Sequence, residues 1–291
     1  MAGEMRDRLT TSSFPKPGTG RISLNSRQGI FLRELEHNMW TTWSTFGRGP
    51  GCALHESDEI LWFETPIPIV PFNGVLRFRP RRDIDTAIDR IVTHFREREV
   101  QFMWVHHPSA EPPDLPERLA ARGMMEVELM PGMARTLDDL EPVPAPPEGI
   151  EIRRVEDEAD AAALYQFAAW RWQIDEQYQD DYAAIADGFR FGQPGSSAQI
   201  WQAWKDGNPV AKAGVYLSSG SAGIYAVATR PEARRLGLAK ILTLVALHYA
   251  RDRGHRTAVL HSTPMAEGLY RSMGFANVAE FRLFASDEVH I

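Results

Sequence analysis

Apolar and polar positions alternate with the periods of strands and helices in two successive stretches of this chain, and the second is the more regular. Residues 150–155 alternate and predict a strand, and residues 157–172 then carry the spacing of an amphipathic helix. Two apolar runs, 200–204 and 210–217, flank Lys205-Asp-Gly-Asn208 and predict a hairpin. A strand at 223–229, an apolar helix at 238–253, a strand at 257–261, a short helix at 265–273 and a last strand at 278–284 follow. The predicted order is β-α-β-β-β-α-β-α-β.

The first stretch repeats part of this pattern. Gly74-Val-Leu-Arg-Phe78 reads as a strand, 84–98 as an amphipathic helix and Phe102-Met-Trp-Val105 as a strand, with a loop and short helix ending at Ala121-Arg-Gly123-Met124. Arg79-Pro80 stands where the second stretch has Arg230-Pro231. From Pro80 to Trp104 is 24 positions and from Pro231 to Val259 is 28, so the first copy is shorter between these points. An internal repeat of this length is a duplicated domain rather than a solenoid. Between the copies, Glu141-Pro-Val-Pro-Ala-Pro-Pro-Glu-Gly149 has four prolines in nine positions. Proline lacks a donor and fixes φ, so this segment predicts a linker. The division is a polar tail at 1–25, a first domain at 26–140, the linker at 141–149 and a second domain at 150–291.

Composition narrows the partners. At 291 residues, 43% hydrophobic and 24% charged, the chain reads as a globular protein of two domains. A net charge of −7 disfavours nucleic acid. The single cysteine, Cys52, cannot close an intramolecular disulfide, which points to the cytoplasm. No apolar run is long enough for a membrane span, and the polar tail has no secretory character.

The densest chemical signal is Arg230-Pro-Glu-Ala-Arg-Arg-Leu-Gly-Leu-Ala-Lys240, a basic turn between a predicted strand and a predicted helix. Free N–H groups of a first helical turn, and the dipole behind them, favour an anion. Gly237 lets backbone approach that anion, and the ligand it suggests is a pyrophosphate. Alone, Arg234 and Arg235 would read as a solvated charge run. Their placement between strand and helix makes that the weaker reading.

With these motifs the second half resembles the GNAT superfamily of acetyltransferases. Arg234-Arg-Leu-Gly237-Leu-Ala239 matches its Arg/Gln-x-x-Gly-x-Gly/Ala signature, and Tyr270-Arg-Ser-Met-Gly274-Phe275 its Tyr-x-x-x-Gly-Phe motif. The resemblance covers residues 150–291. It implies an α/β (α+β) fold of two mixed-sheet domains in tandem, the first degenerate and the second holding acetyl-CoA as co-substrate. It implies that the backbone of Arg235, Leu236, Gly237, Leu238, Ala239 and Lys240 holds the pyrophosphate. The side chains of Arg234, Arg235 and Lys240 would add counter-charge. The strand bearing Val227 and Thr229 would part from its neighbour and pair with the pantetheine arm. Tyr270 would protonate the leaving thiolate. The reaction implied is acetyl transfer to a small-molecule or peptide amine, without metal, nucleic acid or membrane, and a homodimer stays open.

The base is not selected by sequence. Glu176, Asp180, Asp181, Tyr225, His261 and a water chain all stay open. In the first half no glycine stands in Arg81-Arg-Asp-Ile84, and Leu119 stands where the second half has Tyr270, so one acetyl-CoA per chain is expected. His106 and His107 are adjacent on a strand and point to opposite faces, which does not suit one metal. Trp40, Trp43, Phe46, Trp62 and Phe63 are expected in the core or at a domain interface, and Gly47-Arg-Gly-Pro-Gly51 as a flexible turn. The rival to an acetyltransferase is a non-catalytic acyl-CoA-binding or scaffold protein with the same fold.

Overall fold

The computed structural model describes residues 26–286, so the tail expected at 1–25 lies outside the described residues. Helix α1 (Arg27–Trp43) is capped by Ser26, whose hydroxyl accepts the Gly29 N–H at 3.0 Å. Its buried Phe31, Leu32, Leu35 and Met39 recur at helical spacing and give it one apolar stripe. There follow β1 (Ala53–Glu56), β2 (Ile60–Glu64), β3 (Gly74–Phe78), α2 (Ile84–Glu97), β4 (Met103–His106), α3 (Leu115–Ala120) and β5 (Met125–Thr136). Residues 141–149 form neither helix nor strand.

The second half comprises β6 (Ile150–Arg154), α4 (Glu158–Trp172), α5 (Gln179–Ala186), β7 (Ala198–Lys205), β8 (Asn208–Leu217), β9 (Ala222–Thr229), α6 (Leu238–Asp252), β10 (Thr257–His261), α7 (Glu267–Ser272) and β11 (Ala276–Ala285). The order read from the sequence is present, with α5 and short 3-10 turns added before β7. The β7–β8 hairpin turns on Asp206 and Gly207, both left-handed at φ 49° and 77°, the geometry of a two-residue turn that matches strand twist.

All eleven described strands join one sheet in the order β1-β2-β3-β4-β11-β5-β10-β9-β8-β7-β6. The order means that the halves exchange strands. β5, the last strand of the first half, lies between β10 and β11; β11, the last strand of the second, lies between β4 and β5. Each pairing is antiparallel, and the β5–β11 ladder runs from Ala134 opposite Ala276 to Met125 opposite Ala285. Neither half completes its own sheet.

Alternation along the strands sorts the helices onto two faces. Leu61 and Phe63 of β2 pack with the α1 stripe, whereas Trp62 packs with Ile88, Ile91 and Phe95 of α2. In the second half, Ala258 and Leu260 of β10 join Leu242 and Leu247 of α6, while Val259 joins α1. Thus α1 and α4 cover one face, and α2, α3, α6 and α7 the other.

The faces also bind the halves together. The α1 stripe buries Val259, Val278 and Phe281 of the second half. Ile67 and Phe72 pack against Ile174, Tyr182 and Ile185, and Phe46 meets Phe189 edge-on at 5.3 Å. Trp62 and Phe63 are buried, and Trp40, Trp43 and Phe46 are partly buried against the same clusters. The glycine-rich segment at 47–51 turns at Pro50 and Gly51, and two of its glycines are closely packed: a Cβ on Gly47 would lie 2.8 Å from Phe63 Cβ and one on Gly49 3.1 Å from Ile185. Among the described residues no helix is long and apolar enough to cross a membrane.

Candidate functional site

The parallel strands β9 and β10 pair only at Ala222–Ala258 and Gly223–Val259, and then part. On its other side β9 stays paired with β8, with one register shift between Tyr225 and Ala228. The extra residue is absorbed by a bulge in which Ala226 is left-handed at φ 56°. A non-glycine residue held there costs about 1–3 kcal/mol, which the surrounding sheet must offset. From Ile224 to Thr229 no residue of β9 is paired with a residue of β10. Val227 and Thr229 lie half-buried on this stretch.

The free strand runs directly into the basic turn. Arg235 and Gly237 are both left-handed, at φ 63° and 75°, and Gly237 is the N-cap of α6 without a side-chain cap. A Cβ on Gly237 would meet no atom within 4 Å, so glycine is there for its φ and for what approaches from outside. The first helical bond is Ile241 N–H to Gly237 O at 3.1 Å; the N–H groups of Leu238, Ala239 and Lys240 have no partner among the described residues. Leu238 anchors the turn in the core while Leu236 is exposed. Arg234 and Arg235 are exposed and make no ion pair among the described residues. Lys240 differs from the expected free counter-charge, because its Nζ is 2.9 Å from Glu141 Oε2 of the linker.

Tyr270 is buried on α7, its ring meeting Phe275 at 5.9 Å in the cluster that contains Leu238. Burial pushes its hydroxyl up to about 12, so it remains a proton donor through neutral pH.

The open candidates for the base fall into two groups. Glu176 and Asp180 are exposed, and Glu176 opens onto a shallow surface depression beside Asp175 and Gln177. Asp181 faces the first half, where burial, with the Asp181 charge second, pushes the Cys52 thiol up to about 11. Tyr225 and His261 come together at the point where β9 and β10 part, their rings 6.2 Å apart and 16° from parallel. Each ring is partly exposed, yet Tyr225 Oη and His261 Nε2 are shielded from water and have no hydrogen-bond partner. Burial pushes His261 down to about 4, against an upward pull from Glu36, and drives the Tyr225 hydroxyl far above its ordinary value. The sequence reading missed what surrounds this pair: Tyr216, Phe281 and the whole of α1, whose apolar stripe at 31, 32, 35 and 39 was the available signal.

The first half repeats the geometry and fills it. β3 and β4 pair at Gly74–Met103 and Val75–Trp104 and then part. The freed groups of β3 are taken within the chain. Trp40 Nε1 donates to Leu76 O at 2.8 Å, the Phe78 N–H to His107 Nε2 at 3.4 Å, and the Glu111 N–H to Phe78 O at 3.0 Å. His107 is fixed in turn by Glu36, which lies 2.9 Å from its Nδ1 and accepts from the Ser109 N–H and hydroxyl at 2.9 and 2.8 Å. The turn from Pro80 to Ile84 spans four positions against seven from Pro231 to Leu238, and left-handed Asp83 (φ 52°) occupies the N-cap taken by Gly237 in the second half. Leu119 makes the same backbone bond to Met124 as Tyr270 makes to Phe275, both at 3.1 Å, and is wholly buried. His107 points to Glu36, while His106 is pushed down to about 4 by burial. No group of three or more His, Cys, Asp or Glu among the described residues could hold a metal.

The chain is similar to several known proteins. The acetyltransferase (GNAT) family model matches residues 161–275. A mycothiol acetyltransferase of Thermomonospora curvata is 30% identical over 219 residues, covering 73% of this chain and 72% of its own. Among solved structures, a GCN5-related N-acetyltransferase from Kribbella flavida aligns over 87% of this chain and 97% of its own, with TM-score 0.61 and 21% identity. A tandem GNAT protein from the clavulanic acid biosynthesis pathway aligns over 92% and 98%, with TM-score 0.59 and 15% identity. The two structures speak to the fold alone.

Proposed function

Since the chain belongs to the GNAT acetyltransferase family and is an acetyltransferase, we propose that it transfers an acetyl group from acetyl-CoA, bound in the second half, to a primary amine. The observation that carries this reading is the free edge of β9 running into the uncapped start of α6. The amides of residues 235–240 form an anion cradle for the pyrophosphate, with Arg234 and Arg235 as counter-charge. Lys240 contributes once it leaves Glu141 or is shared with it. The edge from Val227 to Thr229 receives the pantetheine arm as an added strand, and a backbone N–H at the bulge faces the charge developing on the acetyl oxygen. Tyr270 supplies the proton to the departing sulfur. The first half closes one wall of the acceptor side through α1. The single unpaired Cys52 supports a cytoplasmic setting.

A screen of amines that follows free thiol release from acetyl-CoA tests the reading. The name of the Thermomonospora relative puts small molecules related to mycothiol first among the acceptors to try. Thiol release that depends on one class of amine is the expected outcome. Failure of acetyl-CoA to bind in calorimetry refutes it.

A further inference from the structure

Tyr270 stands on a helix that cannot hold its own position. Helix α7 has six residues and no side-chain cap at its start. A helix that short has little stability of its own, so its contacts decide how it stands. Its end is a Schellman motif. The Phe275 N–H donates to Tyr270 O at 3.1 Å and the Gly274 N–H to Arg271 O at 3.0 Å, with Gly274 left-handed at φ 82°. The meeting of the Tyr270 and Phe275 rings is the apolar contact that accompanies such a stop. Asn277 of β11 ties the other end of the helix, donating to Glu267 Oε1 at 2.8 Å.

The carbonyl of the C-cap residue, Met273, is taken by the other half of the molecule. Arg135 of β5 donates to it through Nη1. Alternation puts Arg135 on the α7 face, between Met133 and Leu137 of the same core cluster, whereas Ala134 faces α1. Arg135 lies opposite Ala258 of β10, one position past Ala134, where the β11 ladder begins. Two further carbonyls fix its planar fork, Thr136 O at 2.9 Å from Nε and Asp139 O at 2.7 Å from Nη2. The guanidinium also lies against Gly274: a Cβ there would be 3.3 Å from Nη1. Its charge sits at the negative end of the helix.

The first half has the same stop with a local arginine. The Met124 N–H donates to Leu119 O at 3.1 Å and the Gly123 N–H to Ala120 O at 2.9 Å, with Gly123 at φ 78°. Arg122 O, the counterpart of Met273 O, accepts from Nη2 of Arg96, which belongs to α2 of that same half. Where Leu119 stands, the arginine is the half's own. Where Tyr270 stands, it arrives on the exchanged strand. Resting on the reading of Tyr270 as the acid of acetyl transfer, we propose that Arg135 is a positioning residue for Tyr270, so that the first half sets where the proton donor of the second half stands. A proton donor displaced by a fraction of an ångström from the departing sulfur loses rate without loss of cofactor binding.

The test uses the full chain and follows thiol release from acetyl-CoA with glycinamide, glucosamine and n-butylamine as acceptors. Arg135→Gln should lower kcat on the order of 10-fold with acetyl-CoA affinity unchanged. Placed in a Tyr270→Phe background it should cost nothing more, because the group it positions is gone. Arg135→Lys keeps the charge without the fork and should recover part of the rate. If Arg135→Gln does not fold, Arg135→Lys in both backgrounds supplies the same comparison. Arg96→Gln makes the matching deletion at the stop that bears no acid; it should lower the urea midpoint about as much as Arg135→Gln and leave kcat unchanged. An equal fold-loss from the Arg135 variants in both backgrounds, or wild-type kcat in them, overturns the assignment and leaves Arg135 a structural cap. The underlying reading fails separately: wild-type kcat in Tyr270→Phe alone, or a wild type that binds acetyl-CoA but releases thiol with none of the three amines, overturns it and this assignment with it.

Discussion

In both halves two parallel strands pair at two positions and then part, β3 from β4 after Val75 and β9 from β10 after Gly223. What differs is who satisfies the exposed backbone. In the first half Trp40, His107 and Glu111 occupy the freed groups of β3, and Asp83 places a carboxylate at the start of α2. In the second half the edge of β9 is left free and the start of α6 is closed only by Gly237. Buried backbone polar groups must find partners, so a cleft is either filled by its own chain or kept for a ligand. The duplicated fold has done one in each half.

The comparison breaks most severely if the halves are separated. A fragment of residues 146–291 lacks β4 and β5, so β10 loses one of its two neighbours and β11 loses both of its own. We expect it to aggregate or lose its activity, since unpaired central edges template association. Gel filtration with light scattering checks this; a monomeric, fully active fragment contradicts it.

The next effect concerns the cofactor. Gly237→Asp puts a carboxylate where the anion approaches and should weaken acetyl-CoA on the order of 100-fold or more, about 2.7 kcal/mol. The mirror change, Asp83→Gly, should gain no binding because Trp40, His107 and Glu111 still fill the first cleft. Calorimetry and native mass spectrometry should find one acetyl-CoA per chain; two would erase the distinction between the halves.

Chemistry should be equally one-sided. Tyr270→Phe should keep acetyl-CoA affinity and lower kcat on the order of 100-fold, the scale of a lost general acid. Leu119→Tyr should change neither. A wild-type rate in Tyr270→Phe would leave Tyr270 with packing alone.

The smallest effect is on the filling of the first cleft. Burial works to raise the Glu36 carboxyl, but the hydrogen bond and charge of His107 and the bonds from Ser109 outweigh it and hold the group below its ordinary 4.5. A carboxyl depressed in the folded state stabilises the fold fully above that ordinary value, and the contribution fades as pH falls below 4.5 and through the lowered folded value. Urea midpoints from pH 7 to 3 should therefore fall less steeply at the acid end in Glu36→Gln than in the wild type. Parallel acid limbs would remove Glu36 from the account.

Much of the second half was legible in the chain. Alternation at 150–155, the turn Asp206-Gly207 and the apolar period of α6 are local signals, and local signals set local structure. The glycine of the basic turn and the Tyr270-to-Phe275 spacing were readable for the same reason: a left-handed N-cap and a helix stop depend on few residues. The Leu119 and Asp83 substitutions in the first copy were readable by comparison with the second. Helix α1 was missed, and with it Glu36 and Asn38, because its apolar stripe is interrupted by charges and follows a polar tail.

What the sequence by itself determined, then, is most of the succession of elements in the second half, part of its repeat in the first, and the basic turn, each element set by residues within a few positions of each other. Tertiary structure alone decided that β5 and β11 exchange places, that Lys240 meets Glu141, and that the rings of Tyr225, His261 and Phe281 pack together where β9 and β10 part. Those arrangements join residues far apart in the chain. They follow from burying apolar faces that neither half can cover alone, and no local pattern of residues encodes that choice.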